Sequence, residues 1–146
     1  MKVKGNYVLN ASAQTIWKLL MNPEVLERIT PGISELETLE EDRFKAISNI
    51  KIGPVKAGFE GELALREKVE NESTQVVLDQ KSKIGNAVAT IDIKLNAQDN
   101  GHTEITYEGN AKMTGRLATM GQRIVGGVVK TLSKQFFKSL EKEIES

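Results

Sequence analysis

The chain of 146 residues contains no cysteine, and this absence excludes several chemistries. Disulfide bonds, thiolate nucleophiles and thiolate metal sites all require cysteine. Histidine is nearly as scarce, because His102 is the only one, so a histidine-rich metal site is excluded as well. We therefore expect no metal ion, and nothing else in the sequence calls for a cofactor.

The chain also lacks a charge excess and a long hydrophobic run. Its 20 basic and 20 acidic residues cancel, which gives no reason to expect nucleic acid or an acidic substrate as a partner. No stretch approaches the roughly 18 apolar residues of a membrane-spanning helix. The first residues, Met1 to Lys4, alternate at once, unlike the apolar region of a signal peptide. We expect an intracellular, cytoplasmic protein, with at most peripheral membrane contact.

The length and composition fit one ordinary globular domain over residues 1–146. Hydrophobic residues make up 39% and charged residues 27% of the chain. A chain of this size can bury a full core. No linker, internal repeat or low-complexity segment divides it.

Seven runs of alternating residues predict β-strands, and many residues that read inward along them are small. The runs cover residues 2–10, 33–40, 43–52, 55–68, 74–84, 87–97 and 102–113. Gly5, Gly61, Ala89, Gly109 and Ala111 stand at inward positions where Leu or Phe would close a core. A twisted sheet lined in this way either encloses something or stays hollow, which suggests a binding protein for an apolar molecule.

The small residues could instead have one of two structural roles. Gly and Ala could let a long helix pack closely, and Gly5, Gly61 and Gly109 could mark bulges where the sheet bends. An empty pocket of ~300 Å³ would cost about 7 kcal/mol, against a total stability of about 5–15 kcal/mol. We therefore expect water, the helix itself or an apolar guest to fill the space.

Helical patterns follow the first strand and end the chain. Ser12 and Asn22 are predicted N-caps of two short helices, the second of which begins with Pro23. From about Thr114 the period becomes helical, with apolar residues every four positions from Met120 to Ile144. Strands joined by short turns pair antiparallel. We predict an α+β fold in which a curved antiparallel sheet of about seven strands wraps around one long C-terminal helix.

The first half of the long helix contains Gly115, Gly121, Gly126 and Gly127, each costing about 1 kcal/mol relative to Ala. This half is either a gate or adaptable pocket wall, or a place of close backbone packing. We predict that the ligand binds beneath it, against a wall formed by Phe59, Ala89, Ile91, Tyr107, Met113, Leu117, Met120, Gly121, Ile124 and Val128. No catalytic residue is predicted, since the inward positions lack a His, Asp or Glu that could act as acid or base.

Several polar residues have competing interpretations. Tyr107 reads inward, so its hydroxyl either orients the polar end of a ligand or bonds within the protein. Arg116 and Arg123, seven residues apart, would share one side of the helix and meet anionic lipid heads, a partner or solvent. His102 follows Asn100 and Gly101 and is expected in a hairpin turn. Inward-reading Ser48, Gln80 and Ser82 require hydrogen-bond partners, and these are either protein groups, water or a ligand.

Several short stretches carry a family resemblance through their order and spacing. They are Ile16–Leu20, Asn22–Leu26, Thr30–Gly32, Ile52–Ala57 with Phe59 and Gly61, Tyr107, Gly115–Ala118, Gly121–Arg123 and Phe136–Phe137. Together they resemble the CoxG family of carbon monoxide dehydrogenase, part of the START-like, polyketide-cyclase-like (SRPBCC) superfamily. Two features differ from the family pattern: Ile33 stands where many members have Cys, and no membrane-anchoring segment follows Ile144.

The resemblance implies a helix-grip fold whose cavity holds a hydrophobic, lipid- or quinone-like ligand. It also implies a role in the maturation or membrane recruitment of a molybdenum-containing carbon monoxide dehydrogenase, whose subunits or maturation proteins would be partners. Since the superfamily includes cyclases and hydratases, an enzyme acting in the same cavity stays an alternative. A third possibility is an assembly factor that acts through its outer surface.

Overall fold

The computed structural model describes the whole chain, from Met1 to Ser146. The strands are β1 (Lys2–Leu9), β2 (Ile33–Glu40), β3 (Arg43–Ile52), β4 (Val55–Val69), β5 (Ser73–Ser82), β6 (Gly85–Ala97) and β7 (Thr103–Met113). The helices are α1 (Ala13–Leu20), α2 (Pro23–Ile29), α3 (Gly115–Thr119) and α4 (Gln122–Glu145). All seven predicted strands and both predicted short helices are confirmed, with ends that differ by two residues at most.

Local sequence explains where α1 and α2 begin and end. The Ser12 side chain accepts a hydrogen bond from the backbone N–H of Thr15, at 3.2 Å, and so caps α1. Asn22 caps α2 in the same way, and Pro23 fills the first helical position, where its missing N–H costs nothing. Gly32, with a φ of +79°, turns the chain from α2 into β2.

The strands form one antiparallel sheet in the order β1-β7-β6-β5-β4-β3-β2. The register sets the inward-reading residues opposite one another: Val76 pairs with Ile91, and Ile91 pairs with Gly109. Gly109 in turn pairs with Val3 on β1. Since side chains alternate between the two faces of a strand, the predicted inward residues share one face. We call this face the inner face.

The helix α4 crosses the inner face from one side of the sheet to the other. Near its start, Ile124 lies beside Gly53 in the turn between β3 and β4. Near its end, the Tyr7 hydroxyl of β1 donates to Glu141, and Arg28 of α2 pairs with Glu143 at 2.6 Å. The sheet thus curves around the helix, which is the predicted helix-grip arrangement. None of the helices combines the length and the apolar character needed to cross a bilayer.

The prediction of one continuous helix from about Thr114 is wrong at its start. The chain forms the short α3, breaks at Met120 and Gly121, and begins α4 at Gln122. Gly121 has a φ of +87°, which a right-handed helix cannot contain. Arg116 and Arg123 therefore lie on different helices, and their spacing does not place them on one helical face.

The hydrophobic core is divided into two clusters at opposite ends of β6 and β7. The first cluster surrounds α1, α2 and the second half of α4, and includes Trp17, whose predicted core role is confirmed. The second cluster contains Ile52, Ala57, Phe59 and Leu117. On β7, Ile105 belongs to the first cluster, whereas Met113 packs against the second.

Gly5, Gly61 and Gly109 do not mark β-bulges, because strand pairing passes through all three without a register shift. They instead permit close approach between neighbouring strands. A Cβ atom on Gly61 would collide with the backbone carbonyl oxygen of Asp79, and one on Gly109 with that of Thr90. At Gly5 the obstacle is the ring of Tyr107. Close packing of α4 therefore does not explain these three glycines.

Candidate functional site

The middle of the inner face carries apolar side chains that the rest of the protein covers only in part. Leu63, Leu65, Val76, Leu78 and Ile91 are each half-buried and belong to neither cluster. Protein interiors are normally close-packed, so partly exposed apolar residues on an inner face indicate a hollow. We call this region the central strip; it comprises Leu63, Leu65, Val76, Leu78, Ala87, Ala89, Ile91, Gly109 and Ala111.

The part of α4 between the two clusters is also incompletely covered. Val128 packs against the second cluster and Phe136 against the first. Val129 and Leu132 lie between them on the apolar stripe, are half-buried, and belong to neither cluster. The hollow therefore has apolar residues on both sides.

A groove of about 630 Å³ opens between β1 and the middle of α4. Its apolar lining residues include Val3, Tyr7, Tyr107, Val129 and Phe137. The register that joins Val3 to Gly109 and Ile91 makes this groove a neighbour of the central strip. Its volume is in the range of small-molecule pockets, about 300–1,000 Å³. The groove is also lined by Lys2, Lys4, Lys130 and Lys134, and by no carboxylate.

A second depression, of about 500 Å³, lies on the opposite face of the sheet and is polar. Among its lining residues, Gln75 donates a hydrogen bond to Asp92 at 3.1 Å. Lys4, Lys94, Glu67 and Glu108 add charges of both signs. This depression has few apolar groups with which to hold a hydrophobic molecule.

Three aromatic rings form one end of the groove. Phe137 stacks on Tyr7 with ring centroids 5.2 Å apart and on Tyr107 at 5.6 Å. The Tyr7 hydroxyl donates to Glu141 Oε2 at 3.3 Å. The Tyr107 hydroxyl lies over Gly5, and no protein group forms a hydrogen bond with it. Tyr107 thus reads inward as predicted, and its hydroxyl is available to a bound molecule.

The environment of Tyr7 makes its ionisation unfavourable. Burial of the phenol, and secondly the negative charge and hydrogen bond of Glu141, raise the pKa of Tyr7 above its ordinary value. A raised pKa in the folded state contributes stability below the unfolded pKa, and this stability is lost as the pH rises through the folded pKa.

We therefore expect Tyr7→Phe to change how stability depends on alkaline pH. From neutral pH to about pH 9 the difference between variant and wild type in unfolding free energy should stay constant. Above about pH 10, wild type should lose stability relative to the variant, which keeps the ring stacked on Phe137. Urea unfolding across this range measures the difference. Parallel profiles up to about pH 11 would show that Tyr7 does not titrate with an upward shift.

The ten predicted wall residues occupy three different places. Phe59 and Leu117 are buried in the second cluster, and Met113, Met120 and Val128 pack against it. Ala89 and Ile91 lie in the central strip, and Tyr107 lines the groove. Ile124 is 44% exposed. Gly121 is exposed, and no atom lies within 4 Å of the position where its Cβ would be.

Several residues around the hollow were not among those ten. Leu63, Leu65, Val76 and Leu78 were identified as inward-reading, but alternation does not show how closely a helix covers each position. The wall was predicted beneath the first half of the C-terminal helix, whereas the partly covered apolar residues face the middle of α4. The helix break at Gly121 moves the start of α4 and accounts for part of this difference.

Two of the inward-reading polar residues find hydrogen-bond partners within the protein. Gln80 donates to the carbonyl oxygen of Glu62 at 3.2 Å, and Ser82 donates to that of Gly85 at 2.6 Å. These two side chains therefore need no bond from a ligand. His102 lies at the end of the turn between β6 and β7, where its backbone N–H donates to Asn100, which confirms its predicted place.

The glycines of α4 are not required for packing. No atom lies within 4 Å of the Cβ position at Gly126 or at Gly127. The alternative in which these glycines allow close backbone contact with the sheet is therefore wrong for both. Gly126 lines the groove, so the weakest part of the helix lies at the opening of the hollow.

Comparison with known proteins gives a consistent result. A family model that describes CoxG of carbon monoxide dehydrogenase matches residues 5–145. A conserved protein from Geobacillus kaustophilus has a similar structure, with a TM-score of 0.95 and 29% sequence identity, covering 99% of this chain and 95% of that one. No protein with a curated description matches the chain.

Two more distant structures share the fold. A START superfamily protein from Mycobacterium smegmatis has a TM-score of 0.76 at 15% identity, covering 99% of this chain and 97% of that one. The Zhui aromatase/cyclase from Streptomyces sp. R1128 has a TM-score of 0.72 at 14% identity, covering 99% of this chain and 93% of that one. At these identities the similarity establishes a START-like fold.

Proposed function

Since the chain belongs to the CoxG family of carbon monoxide dehydrogenase, we propose that it binds and carries a small hydrophobic, lipid- or quinone-like molecule between the sheet and α4. The observation that carries this proposal is the central strip, where apolar inner-face residues are half-buried between two closed clusters. Burial of apolar surface at about 25 cal/mol per Å² supplies the driving force for uptake.

The proposed guest enters through the groove between β1 and α4. Its apolar part lies against the central strip, with Ala89 and Ile91 below and Val129 and Leu132 above. The Tyr107 hydroxyl, which has no protein partner, orients the polar end. The other predicted wall residues, in or near the second cluster, close the far end of the hollow.

We propose that this binding involves no catalytic step. The only titratable side chains on the inner face of the sheet are Tyr7 and Tyr107. The rival function, a cyclase or hydratase, is supported by the fold shared with an aromatase/cyclase. An enzyme would need Tyr107 as its acid or base. Turnover by wild type that is lost in Tyr107→Phe would favour the enzyme.

The proposed guest can be identified directly. Native mass spectrometry of protein purified from its host should show a copurifying mass, and organic extraction should release an apolar compound. Members of a lipid and quinone panel should raise the melting temperature, because a ligand that binds only the folded state stabilises it. Absence of a copurifying species together with no thermal shift across the panel would rule out the carrier function.

We further propose that the partner is a molybdenum enzyme of the carbon monoxide dehydrogenase type, on the support of the family alone. A pull-down from host extract, with wild type and the cavity-filling variant Ala89→Leu, tests this partner. Capture of molybdenum hydroxylase subunits by wild type is the expected result. If Ala89→Leu captures the same subunits after losing its guest, the protein acts as an assembly factor through its outer surface.

Alanine at the two helix glycines should stabilise α4 and slow exchange of the guest. Gly126→Ala and Gly127→Ala should each raise the unfolding free energy by about 0.5–1 kcal/mol, since neither Cβ meets another atom. Gly126 lines the groove and Gly127 is exposed. Stopped-flow release of an apolar fluorescent probe should therefore slow more in Gly126→Ala. Equal release rates in wild type and both variants would exclude this part of α4 as the gate.

A further inference from the structure

The end of the molecule at the second cluster carries six exposed cationic side chains and no neutralising partner. They are Lys51, Lys56, Lys83, Lys112, Arg116 and Arg123, and we call them the basic end. None of the six forms a salt bridge, whereas Lys2, Arg28, Arg43, Lys45 and Lys68 do.

Backbone contacts bring these six residues together from three parts of the chain. The Leu117 N–H donates to the Ile84 carbonyl oxygen at 3.1 Å, which places Arg116 and Lys83 at adjoining segments. The Thr114 N–H donates to the Asn86 carbonyl oxygen at 3.0 Å, close to Lys112. Ile124, next to Arg123, lies beside Gly53 in the turn flanked by Lys51 and Lys56.

The chain excludes acidic residues from the segments that form this end. Residues 43–59, 80–91 and 109–140 contain no Asp or Glu. Because the formal net charge of the whole chain is zero, an equal negative charge lies elsewhere, in part on Glu35, Glu37 and Glu40 of β2. Lys51 and Lys56 stand directly opposite each other in the strand register. Like charges at such positions destabilise a sheet unless something of opposite charge covers them.

Exposed apolar residues lie among the cations. Ile124 is 44% exposed, and Pro54 at the neighbouring turn is exposed as well. No aromatic side chain on which a nucleic-acid base could stack is present in the basic end. Clustered cations beside exposed aliphatic groups are the composition of surfaces that bind anionic membranes.

We propose that the basic end docks on an anionic lipid bilayer. The six cations face the lipid phosphates, and Ile124 and Pro54 enter the interfacial region. This docking does not depend on the guest: it uses the outside of the second cluster, whereas the groove opens between β1 and α4. It would hold the protein at the source or destination of a lipid-like molecule.

Cosedimentation with guest-free vesicles tests the proposal. We expect wild type to bind vesicles that contain phosphatidylglycerol, to bind less as salt rises, and not to bind pure phosphatidylcholine vesicles. Arg116→Glu/Arg123→Glu should weaken binding by roughly 20-fold or more, since each cation near the surface is worth about a factor of five. Ile124→Ser should weaken it at constant charge.

The matched control is Lys18→Glu/Lys138→Glu, which makes the same change in net charge at exposed, unpaired positions of α1 and α4 outside the basic end. It should bind within about twofold of wild type. Equal loss in the control, full binding by the Arg116→Glu/Arg123→Glu variant, or tighter binding to heparin or duplex DNA than to anionic vesicles would overturn the proposal. Binding of a neutral apolar probe without vesicles, measured on the same variants, reports separately on the hollow and on folding.

Discussion

Gly61→Ala is expected to destabilise the protein by about 3 kcal/mol, a large effect for the addition of one methyl group. The added Cβ would collide with the backbone carbonyl oxygen of Asp79 on the neighbouring strand, which cannot move aside as a flexible side chain could. Relief of the collision requires β4 and β5 to separate where Gly61 pairs with Gln80. Gly109→Ala should act similarly through the carbonyl oxygen of Thr90.

Gly58→Ala is the matched control for Gly61→Ala because it lies on the same strand, is exposed, and adds a Cβ only 3.4 Å from the Asn49 side-chain oxygen. It should be neutral or stabilising by up to about 1 kcal/mol. Urea unfolding of the variants measures the difference. If Gly61→Ala and Gly58→Ala were equally stable, the close approach of β4 and β5 at Gly61 would be absent in solution.

The second large effect is expected on binding rather than on stability. Ala89→Leu adds three carbon atoms to the inner face in the central strip, where Leu78 and Ala111 are the cross-strand neighbours. If the space above is open, leucine occupies the volume of the guest, and affinity for a neutral apolar probe should fall at least about tenfold. The unfolding free energy should change by less than about 1 kcal/mol, since the added group meets no packed atoms.

Val88→Leu is the control for this variant because Val88 is the adjacent residue of β6, points to the other face and is 44% exposed. It should leave probe affinity unchanged. Fluorescence titration and urea unfolding together distinguish the possibilities. A loss of about 2 kcal/mol or more in Ala89→Leu, as expected for overpacking of a filled core, would show that sheet and helix already meet there.

The strands and the first two helices could be predicted because their signals are local. Alternation places Val76, Ile91 and Gly109 on one face whatever lies above them. The caps Ser12 and Asn22 form hydrogen bonds with residues two or three positions away. Such features depend on neighbours in sequence, which a single sequence contains.

The break before α4 and the position of the hollow depend on tertiary structure. The apolar stripe continues on both sides of Gly121, so the pattern alone does not reveal a residue with a φ of +87°. Likewise, alternation cannot show that Phe59 packs against α3 while Leu63, two inward positions further along β4, stays half-buried. The distance from sheet to helix at each position decides between core and cavity wall, and that distance is set by the curvature of the sheet.

Both proposed surfaces involve the two ends of the hollow, but they make separate claims. The groove and the central strip account for binding of a hydrophobic molecule, and the basic end accounts for contact with a membrane. If Arg116→Glu/Arg123→Glu binds the probe normally but does not bind vesicles, the two functions are independent. Loss of probe binding in Ala89→Leu with normal vesicle binding would give the reciprocal result.

Methyl NMR of the protein titrated with a neutral apolar probe observes the hollow most directly. Space beneath α4 that accepts a guest predicts that chemical shifts move for Leu63, Leu65, Val76, Leu78 and Ile91, while the outward-facing methyls of Val88 and Leu39 stay in place. Shifts confined to outward-facing methyls, or none at saturating probe, would contradict the account.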